Sequence, residues 1–206
     1  MKSRFEYASD IAFTPAVKSI QTRKGSRHAY SRMEEGGSWE TRISADLASF
    51  IAEQTSVFLA TVNAQGQPYI QHRGGPAGFL QVIDDRTLGF VDYAGNRQYI
   101  SSGNLAESPK AHLFLMDYSR RQRVKIWGNA RVVEGDAALI QQLMPPEYKA
   151  RAEHAIIFDV LAWDANCPQH IPMRLDALDV ETELSSRDAR IRALEAEVAT
   201  LRGSGD

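Results

Sequence analysis

From Ser56 to Val133 apolar-rich, strand-like runs are separated by short turn-forming runs, and the last of them alternates hydrophobic and polar positions with the two-residue period of a strand. SVFLATV (56–62) and QPYIQHR (67–73) flank Asn63-Ala64-Gln65-Gly66, and GFLQVI (78–83) and TLGFV (87–91) flank Asp84-Asp85-Arg86. Each set predicts an antiparallel hairpin. Residues 96–107 lose the alternation and predict a short helix ended by Ser108-Pro109. AHLFLMD (111–117) and RVKIWGNARVV (123–133) then resume strands. In the second, Val124, Ile126, Gly128, Ala130 and Val132 share one face, and Arg123, Lys125, Trp127, Asn129 and Arg131 share the other. That second face is either a solvated exterior or a basic wall beside an anionic ligand.

The flanks have helical patterns. Thr14-Pro15 opens a helix through about Lys24, and Gly25, Gly36 and Gly37 interrupt the chain beyond it, so this arm lacks a core of its own. Ser44, Asp46, Leu47, Phe50 and Ile51 predict a capped amphipathic helix. Gly135-Asp136 starts another helix through about Leu143, broken by Pro145-Pro146. AIIFDVLAW (155–163) and LDALDVE (175–181) are read as further strands. From Leu184 onward Leu184, Ile191, Leu194, Val198 and Leu201 fall at a/d heptad positions, with Arg187 in the d row. The same stripe suits either pairing with a second helix or packing on the domain's own surface. The resulting division is a helical arm over 1–43, a β domain over 44–182 and a C-terminal amphipathic or coiled-coil helix over 183–206. Short antiparallel strands with few βαβ crossovers favour a small closed barrel over a doubly wound fold.

Composition narrows the function. Lys plus Arg is 24 against 26 for Asp plus Glu, a net charge of -2, so no whole-molecule field attracts nucleic acid or anionic membrane. Any anion site is local. The single cysteine, Cys167, excludes an intramolecular disulfide and fits a reducing, cytoplasmic setting, and no apolar run approaches a membrane span. His28, His72, His112, His154 and His170 are too scattered for metal-ligand spacing. Walker and GxGxxG loops are absent.

Three segments carry chemistry. FVDYAGNRQYISSGNL (90–105) runs from a strand through Gly95-Asn96-Arg97-Gln98 into a helix, an arrangement whose amides, dipole and Arg suit a phosphate. Asn96, Arg97 and Gln98 are the candidate ligands. Arg120, Arg121, Arg123 and Lys125 form a basic run beside Trp127. AWDANCPQHI (162–171) crowds a Trp, an amide, a thiol and an imidazole after a strand. A Cys167–His170 nucleophile pair requires a depressed thiol pKa that sequence alone does not reveal.

Together with QHRGGPAGFL (71–80) and MDYSRRQRVKIWGNARVV, these segments resemble the pyridoxamine 5'-phosphate oxidase-like family over roughly residues 45–175. The resemblance implies a six-stranded antiparallel split β-barrel of Greek-key type with peripheral helices and a C-terminal helix, mainly β. It also implies a homodimer with FMN held between subunits. By position it places Asn96, Arg97 and Gln98 on the FMN phosphate. Arg73 and Pro76 fall on the strand lining the ring and ribityl chain, with Val91 and Asp92 contributing backbone. Arg123 and Lys125 stand beside the flavin, and Trp163, Asn166, Gln169 and His170 complete its edge from the partner subunit.

The implied activity is FMN-dependent oxidoreduction of a small organic molecule, or by a reduced nicotinamide, through hydride transfer at flavin N5. His170 is then the proton-donor candidate, imidazole being suited to proton transfer near neutral pH. The family's Ser-Gln segment is missing near Tyr148 and Arg151, and Arg174-Leu175-Asp176 stands where Arg-Leu-His is expected, which argues against vitamin B6 as substrate. The alternative is a non-catalytic module that stores or senses flavin.

Overall fold

The alternation becomes strands whose successive residues have opposite fates. In the computed structural model, which describes residues 5–37, 39–166 and 168–203, β1 (Ser56–Val62) buries Val57, Leu59 and Thr61 and leaves the residues between them half-exposed. It pairs antiparallel with β2 (Pro68–Gly74). In the turn between them Asn63 Oδ1 accepts from the amides of Gln65 and Gln67, and Gly66 takes φ +84°. β3 (Gln81–Asp84) and β4 (Thr87–Tyr93) make the second hairpin. β5 (Lys110–Asp117), β6 (Gln122–Val133) and β7 (Ala152–Asn166) complete one sheet in the order β2-β1-β5-β6-β7-β4-β3.

Inward residues of β1, β4, β5, β6 and β7 meet in a single apolar cluster with Leu47, Phe50 and Ile51 of α3 (Ala45–Ala52). The sheet therefore curls round one core, the split barrel expected. Each fully buried Leu, Ile or Phe in it contributes about 1.5–3 kcal/mol. The described strands number seven rather than six. The run 175–181, read as a strand, instead opens α6 (Ala177–Gly203), because Asp176 Oδ1 accepts from the Leu178 amide and caps a helix there. A second apolar cluster, Val91, Leu143, Ala155 and Ile157, covers the outer face of β4 and β7 beneath α5 (Ala137–Leu143).

β7 carries two bulges. Against β4 the pairing jumps from Asp92↔His154 to Tyr93↔Ala152, leaving Glu153 as the extra residue. Against β6 it jumps from Trp127↔Ala162 to Gly128↔Val160, leaving Leu161. At the second bulge a Cβ on Gly128 would stand 2.3 Å from the Asp159 carbonyl oxygen and the Phe158 ring, so only glycine fits that close approach.

The N-terminal arm forms α1 (Pro15–Arg23), with Thr14 Oγ1 accepting from the Val17 amide, and α2 (Arg27–Glu35). A polar centre takes the place of the missing apolar one. Glu34 is buried and ion-paired with Arg27 and with Lys18 at 3.5 Å, and Ser9 donates to it. The arm reaches the barrel through Trp39, which stacks on Trp127 of β6 at 4.6 Å and meets Phe13 edge-on.

The chain divides into two units. One holds residues up to Met116 and the chain from Arg123 through β7; the other holds Asp117–Gln122 and the chain from Pro168. In the second unit Arg121 donates to the carbonyls of Ile171 and Pro168, and Arg174 lies over the Tyr118 ring. Among the described residues no helix is long and apolar enough to cross a membrane.

Candidate functional site

β4 delivers Asp92 and Tyr93 to its end, and the chain then turns through 94–99 into α4 (Ile100–Glu107). The turn is built from left-handed residues. Arg97 has φ +60° and Tyr99 φ +55°, while Asn96 Oδ1 accepts from the Gln98 amide. Such alternation directs successive amides into one concavity, which attracts anions. Tyr99, the residue preceding α4, supplies no side-chain acceptor to the first amides of the helix. These amides add to the positive end of its dipole. Asn104, whose Nδ2 donates to Thr61 Oγ1 at 3.0 Å, and the buried Leu105 fix α4 on the barrel.

The concavity is a small pocket of about 60 Å³ lined by Arg73, Asp92, Asn96, Arg97, Gln98 and Ser101, with Tyr93, Tyr99 and Glu153 among its other walls. Five residues singled out from the sequence thus meet in one place: Arg73 from β2, Asp92 from β4, and the three of the turn. Arg73 is largely buried and held by Asp92. Its Nη2 donates to Asp92 Oδ2 at 3.1 Å and to Ser101 Oγ at 3.3 Å. Its Nε lies 2.8 Å from Asp92 Oδ1 but off the hydrogen-bonding direction, so charge, not a second hydrogen bond, acts there. The buried His154 places Nε2 3.3 Å from the same carboxylate.

Arg97 is exposed and differently held. Its Nε donates to Tyr99 Oη at 3.0 Å, and Tyr99 donates to Glu153 Oε1 at 2.5 Å. The Tyr99 hydrogen bond, then the charges of Tyr99 and Glu153, raise the Arg97 pKa, so the guanidinium stays charged. Two arginines therefore face two carboxylates, and an anion entering the pocket competes with Glu153 for Arg97. Tyr93 has a buried hydroxyl with no hydrogen-bond partner, and burial and then Tyr148 raise its pKa.

The remaining sequence candidates lie elsewhere. Pro76 follows β2 in a turn, and Val91 is buried in the second apolar cluster. Lys125 is not a solvated cation: it pairs with Asp164 at 2.9 Å and sits over the rings of Trp39 and Trp127. The face of β6 left open between solvent and ligand is covered there by the arm. Nearby, burial and then the Lys125 charge push the His112 pKa down to about 4, so its imidazole is neutral at physiological pH. Arg123 pairs in register with Asn166, whose side chain lies outside the described atoms. Trp163 packs against the main core, its Nε1 donating to the Arg42 carbonyl at 2.8 Å. Gln169 and His170 are exposed residues of the second unit, His170 with φ +63°. Cys167 is outside the described residues.

The sequence did not point to Glu153 or Tyr99 at the pocket, nor to His154 beside Asp92. Tyr99 and Ser101 stood inside the segment it singled out, but Glu153 is aimed there by a bulge, which leaves no mark in hydrophobic alternation. Among the described residues no group of three or more His, Cys, Asp or Glu side chains could hold a metal ion.

The family model for pyridoxamine 5'-phosphate oxidase matches residues 43–171, well over half of the chain, and the protein belongs to that family. Solved structures that resemble it include the H111A variant of HupZ from Group A Streptococcus, 18% identical over 60% of this chain and 99% of that one, TM-score 0.47. An FMN-binding protein from Syntrophomonas wolfei subsp. wolfei is 12% identical over 71% of this chain and 97% of its own, TM-score 0.48. HutZ, the haem storage protein of Vibrio cholerae, is 16% identical over 61% of this chain and 94% of its own, TM-score 0.41. No curated protein matches the sequence.

Proposed function

We propose that the protein is a homodimeric FMN-binding flavoprotein and an FMN-dependent oxidoreductase acting on a small organic molecule. The observation that carries this reading is the pocket at 95–102, where left-handed backbone, uncapped helix amides and Arg97 converge on a space of about 60 Å³. The residues fit a phosphate monoester: Asn96, Arg97, Gln98 and the first amides of α4 supply donors, and Ser101 adds a hydroxyl. Arg73, oriented by Asp92, supplies a second cation whose position does not depend on the ligand.

A pocket of that volume holds a phosphate but not a ring system, so the rest of the cofactor lies outside it. In this reading a second subunit supplies the other wall, with Trp163, Asn166, Gln169 and His170 as its candidate residues, and Arg123 and Lys125 stand beside the flavin. Bound FMN supplies hydride exchange at N5 with the substrate or a reduced nicotinamide. His170 is the proposed proton donor and Lys125 the proposed cation near the ring, its charge already balanced by Asp164.

The visible spectrum of freshly purified protein tests cofactor binding, and anaerobic reduction by NADH or NADPH tests catalysis. The expected results are a flavin band released on denaturation and its bleaching by one of the donors. A colourless protein that takes up no added FMN would refute the cofactor. A yellow protein that no nicotinamide or organic donor reduces would instead leave a storage or sensing module.

A further inference from the structure

Every residue from Pro172 to Arg202 is exposed, including all of α6 up to that point, a helix about 40 Å long at 1.5 Å per residue. Along it Leu184, Ile191, Leu194, Val198 and Leu201 form one apolar stripe, with exposures of 41–67%. In heptad terms the a positions are Leu184, Ile191 and Val198, and the d positions are Arg187, Leu194 and Leu201. In the last two heptads β-branched Ile191 and Val198 at a stand with Leu194 and Leu201 at d, the combination that favours two-stranded parallel pairing.

The flanking charges agree with that arrangement. Between in-register parallel helices, each g residue meets the e residue five positions later on the other helix. Arg190 then meets Glu195 and Glu197 meets Arg202, both attractive. The one acidic pair, Glu183 with Asp188, brackets the Arg187 layer, and Glu183 already accepts from Arg187 Nε at 2.8 Å. Two arginines would thus sit among four carboxylates. In the antiparallel alternative Arg187 would be pressed against Val198. A charged residue in one core layer lowers stability but fixes register.

We infer that α6 is an interaction surface for a second copy of this chain, pairing as a parallel, in-register two-stranded coiled coil from Leu184 to Leu201. This inference stands independently of the flavin reading.

Oxidative cross-linking of the full chain in a Cys167→Ser background tests it. Identical residues in the core layers of such a coil come within the roughly 4.4–6.8 Å Cα separation a disulfide spans. Leu194→Cys, and separately Leu201→Cys, should link rapidly into dimers at low micromolar concentration. Ala196→Cys, on the opposite face, should link at least about tenfold more slowly. Equal rates at 194 and 196 would overturn the pairing. Cross-links confined to mixtures of Ile191→Cys and Leu194→Cys chains would overturn the parallel register. Arg187→Leu should lower the concentration at which half of the Leu194→Cys chains link; no change would remove Arg187 from the core layer.

Discussion

At the scale of single residues the pocket is a contest for Arg97. Its guanidinium is tied through Nε and Tyr99 to Glu153, whose charge competes with any anion that approaches. Arg97→Ala should lower FMN affinity about tenfold or more, the usual loss for a charge-assisted hydrogen bond, read by flavin fluorescence on titration. Glu153→Gln keeps an acceptor for Tyr99 but removes the competing charge. It should tighten FMN binding about two- to fivefold at low ionic strength, an effect that fades as salt screens it. The 96–98 turn was legible from residue type and order, an Arg and amides between a strand and a helix; Arg73 and Asp92 came only through the family resemblance, and Asp92 for its backbone rather than for the carboxylate that holds Arg73. Glu153 and His154 were not legible, since the strand read from the sequence begins only at Ala155, and in β7 a bulge decides where the residues before it point.

At the scale of elements, the hairpins and the amphipathic helix at 45–52 were readable because turn chemistry and hydrophobic period agree there. The outer face of β6 was not. Its charges suggested solvent or ligand, whereas Trp39 arrives from the arm and stacks on Trp127, a long-range contact that no local pattern encodes. This coverage has a measurable consequence. His112, edge-on to Trp127, has its pKa depressed from 6.5 to about 4 in the folded chain. Between those values the unfolded state binds the proton and the folded state does not. The stability linked to His112 is therefore complete above about pH 6.5 and is lost as pH falls toward 4. Urea denaturation at pH 7.5 and pH 4.5 should show a smaller acid loss in His112→Phe than in the parent, by about 1–3 kcal/mol. One pKa unit corresponds to about 1.4 kcal/mol, reduced here because the ring is only partly buried.

At the scale of the whole molecule, the barrel was legible from the succession of short antiparallel strands, while the strand count and the start of α6 were not. LDALDVE alternates well enough to pass for a strand, and Asp176 decides otherwise by capping a helix. The bulge at Leu161 hides the two-residue period of β7 from a reader who counts along the sequence. Upstream of it Ile156, Phe158 and Val160, the even-numbered positions, face the core; downstream it is Trp163, an odd one, that turns inward, and Asp164 turns out to meet Lys125. The numbering changes parity there because Leu161 is skipped, while the faces themselves alternate unbroken across it. Its identity is nearly free, since its side chain is 43% exposed and it pairs with no residue of β6. Leu161→Ser should leave the melting temperature within a few degrees of the parent, and deletion of Leu161 should close the β6–β7 ladder with Asp164 still opposite Lys125 and keep a cooperative transition, both read by thermal circular dichroism. The extra residue works as a silent letter: it lengthens the strand, and everything spelled after it keeps its side.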